Sequence, residues 1–321
     1  MKSDFATVLI FAVLVLSTLS VAQKSEGPSA QCSLAVVSSL TAGKQKVCDG
    51  KLVKEMARRG SVFEQNELGI ASMLVIAPGY SQKEALHWFE RAALRGYAPA
   101  QVNLAVMYAN GWATSPNYGA AVYWLREAAN QGFARAYYNL GVLYLNGQGV
   151  RQDYKEAFTW FEKGAKAGDS SAATNLGYFY DRGLGCDRDA TTAVFWYRKA
   201  ANAGNPLAEN NLADMYLNGE GVPKDNREAF TWFQKAAADG STDARIKLGS
   251  MYAQGLGVTK DPQTAYRWVL AASRAGDKRG DRLLASLEKQ LNAEQVSAVR
   301  EEIRKESTIR RTLIAQNAFV Q

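Results

Sequence analysis

The sequence of residues 133–168 is FARAYYNLGVLYLNGQGVRQDYKEAFTWFEKGAKAG, and it is one repeat of a tandem array. The pattern returns every 36 residues without an insertion or a deletion. A period of about 20 to 50 residues is typical of stacked supersecondary units. Six tryptophans share one column of the repeat: Trp88, Trp124, Trp160, Trp196, Trp232 and Trp268. A closing glycine column defines repeats 1 to 6 as residues 61–96, 97–132, 133–168, 169–204, 205–240 and 241–276.

The first half of each repeat predicts an amphipathic helix, which we call helix A. In repeat 3, Ala136, Leu140 and Tyr144 recur at helical spacing, so they lie on one face. Gly147 follows this face, and glycine is suited to end a helix because it tolerates the left-handed conformation. With Gly149 two residues later, the sequence predicts a tight loop after helix A.

The second half of each repeat predicts helix B. Asp153 is suited to cap its first turn, and Glu156 three residues later completes a capping-box pattern. Trp160 supplies a large apolar surface, while the small side chains of Ala157 and Ala165 allow neighbouring helices to approach closely. Neither helix can bury its apolar face alone. Each repeat must therefore pack on the next one.

The repeat columns resemble the Sel-1-like repeat, a relative of the tetratricopeptide repeat. In repeat 3 the matching positions are Ala136, Leu140-Gly141, Tyr144, Gly147-x-Gly149-Val150, Asp153, Ala157, Trp160, Ala165 and Gly168. The resemblance implies an all-α, right-handed α-solenoid of six helix-turn-helix repeats with N- and C-terminal helical caps. The sequence departs from the pattern at Ser72 in the tyrosine column, at Ala113 in the second loop-glycine column and at Asn117 in the capping column.

The residues before the array predict an exported protein. Residues 1–22 combine a short basic start, an apolar stretch and a small-residue site, as in a secretory signal peptide cleaved after Ala22. An uncleaved membrane anchor is the alternative, and after cleavage we expect no stable membrane insertion. Export implies an oxidising periplasmic or extracellular location. We therefore expect Cys32 and Cys48 of the segment 23–60 to form a disulfide, with two free thiols as the alternative.

The residues after the array predict C-terminal capping helices over 277–321. An open solenoid must cover the apolar face of its last repeat. This segment offers a helical stripe of four leucines: Leu283, Leu284, Leu287 and Leu291. Its basic end could instead contact an acidic partner.

The sequence contains no catalytic constellation. His87 is the single histidine, which excludes histidine-based triads and multi-histidine metal sites, and the three cysteines lack zinc spacing. Residues 286–289 match the Ser-x-x-Lys motif of penicillin-recognising enzymes, but the Ser-Asp-Asn and Lys-Thr-Gly motifs are missing. The net charge of +7 is interspersed with acids, so nucleic-acid binding is not expected. We expect no metal, no cofactor and no enzyme activity.

The candidate binding residues lie on helix A, which lines the concave groove in related helical repeats. One stripe of variable positions includes Tyr138, Tyr178, Asp181, Asn210 and Asp214. Its tyrosines and aspartates could receive a peptide with an apolar anchor and a basic flank. Ordinary groove lining is the alternative.

Two further features are candidates for partner contacts. An asparagine ladder lies one residue before the constant leucine, at Asn103, Asn139, Asn175 and Asn211. It is similar to the asparagine with which tetratricopeptide domains bind a peptide backbone, although it could instead bond neighbouring helices. Trp112 lies in a loop outside the tryptophan column, where it is either a binding hot spot or packed against the next loop.

The sequence favours an exported, monomeric, non-enzymatic scaffold or adaptor that binds a protein or peptide of unknown identity in its concave groove. One alternative is a protein that binds or hydrolyses cell-wall or β-lactam compounds, as has been linked to cysteine-rich members of the repeat family. Those members carry a disulfide in each repeat, which this chain lacks. A carbohydrate-binding groove is the third hypothesis.

Overall fold

The computed structural model describes residues 55, 57–74 and 81–305. Several predicted features lie outside the described residues: the signal sequence 1–22, the cysteines Cys32 and Cys48, and the end of the tail, 306–321. Among the positions that are described, no helix is both long and apolar enough to span a membrane.

The predicted all-α solenoid of tandem helix pairs is confirmed. Helix A of repeats 1 to 6 is α1 (Val62–Leu74), α3 (Ala98–Asn110), α5 (Ala134–Asn146), α7 (Ser170–Arg182), α9 (Pro206–Asn218) and α11 (Thr242–Gln254). Helix B is α2 (Gln82–Ala93), α4 (Tyr118–Asn130), α6 (Tyr154–Lys166), α8 (Ala190–Asn202), α10 (Asn226–Ala238) and α12 (Pro262–Arg274). A 3-10 turn (Lys278–Gly280), helix α13 (Asp281–Glu288) and a helical segment over 293–305 follow the array.

The chain divides into two compact units, one through Asp169 and one from Ser170. We call them the N-terminal and C-terminal compact units. Within each unit, helix A packs against helix B of the same repeat, and helix B packs against helix A of the next repeat. This alternation buries the apolar face that neither helix could bury alone.

The predicted helix ends are confirmed, with one difference in how helix B begins. Gly147 ends α5 in the left-handed conformation, with φ 67°. The Asp153 carboxylate caps α6 by accepting from the backbone N–H groups of Lys155 and Glu156. The backbone N–H of Asp153, which a capping box would pair with the Glu156 side chain, instead donates to the carbonyl oxygen of Tyr144 at 3.0 Å. That bond ties the tyrosine column of helix A to the start of helix B.

The residue after the column tryptophan, rather than the tryptophan itself, is the more deeply buried side chain in the core of the helix pair. Phe161 is fully buried, whereas Trp160 is half-buried and carries the Lys163 ammonium group 4.4 Å from its ring centroid. Gly141 makes room for the Phe161 ring, since a Cβ at this position would lie 2.6 Å from it. In repeat 3, Gly141 therefore allows the close approach of the Phe161 ring.

Ala113 is the only non-glycine residue with positive φ among the described residues, at 65°. It occupies the column in which Gly149, Gly221 and Gly257 have φ between 67° and 71°. An L-residue in this conformation costs about 1 to 2 kcal/mol relative to its ordinary conformations. Repeat 2 therefore keeps the loop shape of its sister repeats even without the glycine that favours it.

Candidate partner-binding surface

Tyr138 of α5 lies in the interior of the N-terminal compact unit. Its side chain is 6% exposed, and its ring centroid lies 6.1 Å from that of Phe161. The Arg135 guanidinium group lies 5.3 Å from the same ring. Burial raises the pKa of the Tyr138 hydroxyl to about 12. The stripe that sequence reasoning assigned to the groove thus contributes a core ring at this position.

The asparagine ladder makes contacts within the protein in both compact units. Asn103 is buried, and its Nδ2 donates to Asn66 Oδ1 of the preceding repeat at 2.9 Å. Asn175 Nδ2 donates to the Ser171 carbonyl oxygen on its own helix at 2.9 Å. Asn139 is half-buried, with a buried Nδ2 that has no hydrogen-bond partner within the described residues.

Trp112 is half-buried in the loop after α3. It packs, with Ala113, against an apolar cluster that includes Ile70, Phe89 and Leu104. The loop tryptophan therefore contributes to the core of the N-terminal compact unit. Its partial exposure still leaves part of the ring at the surface.

Tyr178 of α7 is the most exposed of the predicted contact residues. Its side chain is 42% exposed in the C-terminal compact unit. The Arg182 guanidinium group lies 5.8 Å from the ring centroid, one helical turn along α7. A large amphipathic ring that is accessible and held on a helix is a typical hot-spot side chain in protein interfaces.

The two predicted acidic contacts are already paired with basic side chains. Asp181 is buried, and its carboxylate lies 3.2 Å from Arg182 and 3.8 Å from Arg188. Asp214 accepts from Lys247 Nζ at 2.8 Å. Burial raises the pKa of Asp214, although Lys247 acts to lower it. The local charge is therefore balanced, so neither carboxylate presents an unpaired negative charge to a basic peptide.

Tyr197 of α8 organises this surface, and sequence reasoning missed it. Burial raises the pKa of its hydroxyl far above the usual range, and the nearby Asp181 carboxylate raises it further. Asn211 of α9 hydrogen-bonds the Tyr197 side chain, and Tyr178 lies close enough to act on it electrostatically. Tyr178, Asp181 and Asn211 therefore all act on the pKa of this buried hydroxyl. The available signal was a tyrosine in the column where other repeats carry Phe89, Leu125, Phe161, Phe233 and Val269.

Asn210 is the remaining predicted contact, and it is buried on α9. Its Oδ1 has no hydrogen-bond partner within the described residues. The described ranges also contain no group of three histidine, cysteine, aspartate or glutamate side chains that could hold a metal ion.

The repeat array matches the family model described as Sel1 repeat. The matched residues are 78–97, 98–133, 134–169, 170–205, 206–241 and 242–277. No curated protein matches the chain.

Two solved structures show the same repeat fold. The Sel1 repeat protein from Oxalobacter formigenes is 35% identical with a TM-score of 0.64, covering 68% of this chain and 89% of that one. The second is c5321, described as a protective antigen present in uropathogenic Escherichia coli strains displaying an SLR fold. It is 30% identical with a TM-score of 0.66, covering 91% of this chain and 64% of that one. This chain therefore spans less than two thirds of the length of c5321.

Proposed function

Because this chain belongs to the Sel1 repeat family, we propose that it is a non-enzymatic scaffold that binds a protein or peptide through its C-terminal compact unit. Sel1 repeats are generally protein-interaction scaffolds. A stack of helix pairs presents a rigid surface made of side chains from successive helices, which suits extended partner contacts. The partner, its affinity and the contact residues named below belong to the proposal.

The exposed ring of Tyr178 is the observation that carries this proposal. Tyr178 shares α7 with the buried Asp181, and Asn211 of α9 hydrogen-bonds the buried Tyr197 side chain of α8. An anchor on a fixed support loses little conformational entropy when a partner binds. Tyr178 therefore combines accessible apolar area with pre-organisation.

The charge balance around Tyr178 restricts the chemistry of the partner. Asp181 is neutralised by Arg182 and Arg188, and Arg188 also donates to Glu220 at 2.9 Å. A basic flank would meet guanidinium groups before it met an unpaired carboxylate. The proposal therefore assigns the partner an apolar or aromatic side chain that packs on the Tyr178 ring.

We expect Tyr178→Ala to weaken partner binding by at least about tenfold, because truncation of an aromatic hot spot costs more than about 1.4 kcal/mol. The chain beginning at Gln23 would be used to capture partners from the envelope or secreted fraction of the producing cells. The dissociation constant of each captured protein would then be measured with the parent chain and the variant.

Tyr123→Ala is the matched control. Tyr123 is a tyrosine exposed at 56%, but it lies on helix B of repeat 2, outside the proposed surface. We expect it to leave the dissociation constant within about twofold of the parent value. Equal weakening by both variants, or none by Tyr178→Ala when circular dichroism shows intact helices, would exclude the Tyr178 surface as the binding site.

The proposal includes export of the chain to the periplasm or the extracellular space. Its support is the signal-like sequence of residues 1–22. The intact mass of the protein recovered from producing cells tests this part separately. A chain that begins at Gln23 is expected, and a mature protein that retains residues 1–22 would contradict cleavage.

A further inference from the structure

Buried glutamines tie helix A of repeats 1 and 2 to a main-chain carbonyl of the segment that precedes each repeat, in the N-terminal compact unit. Gln65 Nε2 donates to the carbonyl oxygen of Ala57 at 2.9 Å, and Gln101 Nε2 donates to that of Ala93 at 3.3 Å. In both cases the acceptor lies eight residues before the glutamine. The two glutamines occupy the same column of helix A, 36 residues apart. A glutamine in this column therefore places its amide against the main-chain carbonyl oxygen eight residues earlier, whereas repeats 3 and 4 carry Tyr137 and Ala173 at the same position.

Glu209 occupies this column in repeat 5, where it cannot donate when ionised. Its side chain is 3% exposed, and Oε2 is buried with no hydrogen-bond partner in the described part of the chain. The residue eight positions earlier is Ala201, near the end of α8. Its carbonyl oxygen accepts from the Gly204 N–H at 2.9 Å, as that of Ala93 accepts from the Gly96 N–H. By the repeat register, the Ala201 carbonyl oxygen is the counterpart of the Ala57 and Ala93 acceptors.

The charged groups around Glu209 do not compensate for its burial. Burial is the main cause that raises the pKa of Glu209, and Asp239 at the end of α10 raises it further. Lys235 of α10 acts in the opposite direction. On α8, the charged side chains are engaged elsewhere, since Arg198 donates to the Tyr216 hydroxyl and Lys199 lies over the Trp196 ring. In repeat 6 the same column is occupied by Arg245 of α11.

We propose that Glu209 is protonated in the folded chain and donates a hydrogen bond to the main-chain carbonyl oxygen of Ala201. The contact between α8 and α9 then depends on pH, because the Glu209 proton supplies the donor that the side-chain amide supplies at Gln65 and Gln101. We call this contact the pH-sensitive latch. An uncharged carboxyl group supplies the one O–H donor that this bond needs.

The direction of the pH effect follows from the raised pKa of Glu209. The unfolded chain ionises Glu209 near its ordinary pKa of 4.5, whereas the folded chain retains the proton to higher pH. The stabilising contribution of the bonded proton is therefore complete at acidic pH. It is lost as pH rises from the unfolded pKa through the folded one.

The first test compares the full chain with Glu209→Gln at pH 5 and pH 8. Urea midpoints and amide hydrogen exchange in α8 and α9 would be measured for each. At pH 8 we expect the variant to have the higher midpoint and about fivefold slower exchange, because the amide donates without a proton cost. At pH 5, which lies closer to the unfolded pKa of 4.5, the difference between the two midpoints should be smaller. Other carboxyl groups with raised pKa values, such as Glu67 and Asp214, act equally in both proteins and cancel in this comparison.

Glu209→Met separates the hydrogen bond from the removal of a buried charge. Methionine relieves the charge but cannot donate, so we expect its midpoint at pH 8 to lie below that of Glu209→Gln. Equal midpoints for the two variants would overturn the bond to Ala201. A Glu209→Gln midpoint that is no higher than the parent value at pH 8 would overturn the proposal as a whole.

Gln101→Glu is the reciprocal test in the N-terminal compact unit. It should introduce the same pH dependence at the contact between α2 and α3, with slower amide exchange in α2 and α3 at pH 5 than at pH 8 relative to the parent chain. Unchanged pH dependence in this variant would show that a protonated carboxyl group in this column does not act as the donor. That result would contradict the latch.

Discussion

Gly221→Ala is expected to lower the free energy of unfolding of the C-terminal compact unit by about 3 kcal/mol or more. Gly221 has φ 67°, which an L-residue adopts only at a cost. In addition, a Cβ at this position would lie 2.2 Å from the carbonyl oxygen of Ala190, at the start of α8 in the preceding repeat. The obstacle is backbone rather than a flexible side chain, so the loop and α8 would have to separate. Urea unfolding measures the loss.

Gly204→Ala provides a control for the backbone conformation alone. Gly204 also has positive φ, at 75°, but a Cβ there would meet nothing within 4 Å. We therefore expect it to cost only about 1 to 2 kcal/mol. The difference between the two variants isolates the close approach of one repeat to the next. Equal losses for both would show that the loop of repeat 5 does not depend on that approach.

Ala113 shows that this loop column accepts an L-residue in one repeat. It stands in the Gly221 column with φ 65°, so the loop tolerates a Cβ in repeat 2. The left-handed conformation alone is therefore not prohibitive in this fold. Gly221 differs because the backbone of the preceding repeat lies against its Cβ position. The same holds for Gly257, where a Cβ would lie 2.3 Å from the Asn226 carbonyl oxygen.

The second large effect is expected for Tyr266→Ala, which should cost about 3 to 5 kcal/mol. The Tyr266 ring is fully buried in a cluster with Val269, Leu287 and Ile303. This cluster joins helix B of repeat 6 to both helical segments of the C-terminal cap. Removing the ring would leave a cavity where the cap meets the array, so amide exchange should rise throughout α13 and residues 293–305. Hydrogen exchange resolved by mass spectrometry would locate the change.

Tyr266→Phe distinguishes the ring from its hydroxyl group. The hydroxyl donates to Glu288 at 2.7 Å and accepts from Arg300 Nε at 2.9 Å. Since Glu288 and Arg300 also bond one another at 2.6 Å, the cap keeps an ion pair when the hydroxyl is lost. We expect a loss of only about 1 kcal/mol. If phenylalanine proved as costly as alanine, the polar contacts rather than ring packing would hold the cap.

Much of the fold could be predicted because its determinants are local. Gly147 ends a helix and Asp153 begins one through contacts with residues a few positions away, and both follow from residue type. The exact 36-residue spacing then repeats these local solutions and requires neighbouring helix pairs to stack. The resemblance to Sel-1-like repeats rested on these same positions, and the matched family model and the solved structures confirmed it.

The candidate site could be predicted less well, because exposure depends on how each helix rotates against its neighbours. Tyr138 and Tyr178 belong to the same predicted groove stripe, two residues before and two residues after the constant leucine of their repeats. Tyr138 packs against Phe161, whereas Tyr178 is open to solvent. Asp181 and Asp214 read as acidic contacts in the sequence, but basic residues from their own and later repeats pair with them. Tyr197 was missed because its column is apolar in the other repeats.

The sequence by itself determined the number of repeats, the order of helices, the residues that begin and end each helix, and the family. Each of these depends on short-range backbone preferences and a fixed period. Only the tertiary structure decided which variable side chains reach the surface, which charges are paired and which buried polar atoms have no hydrogen-bond partner within the described residues. Those properties arise between helices. They depend on the distance and orientation of partners far apart in the sequence, such as Asn103 with Asn66, 37 residues apart, or Lys247 with Asp214, 33 residues apart.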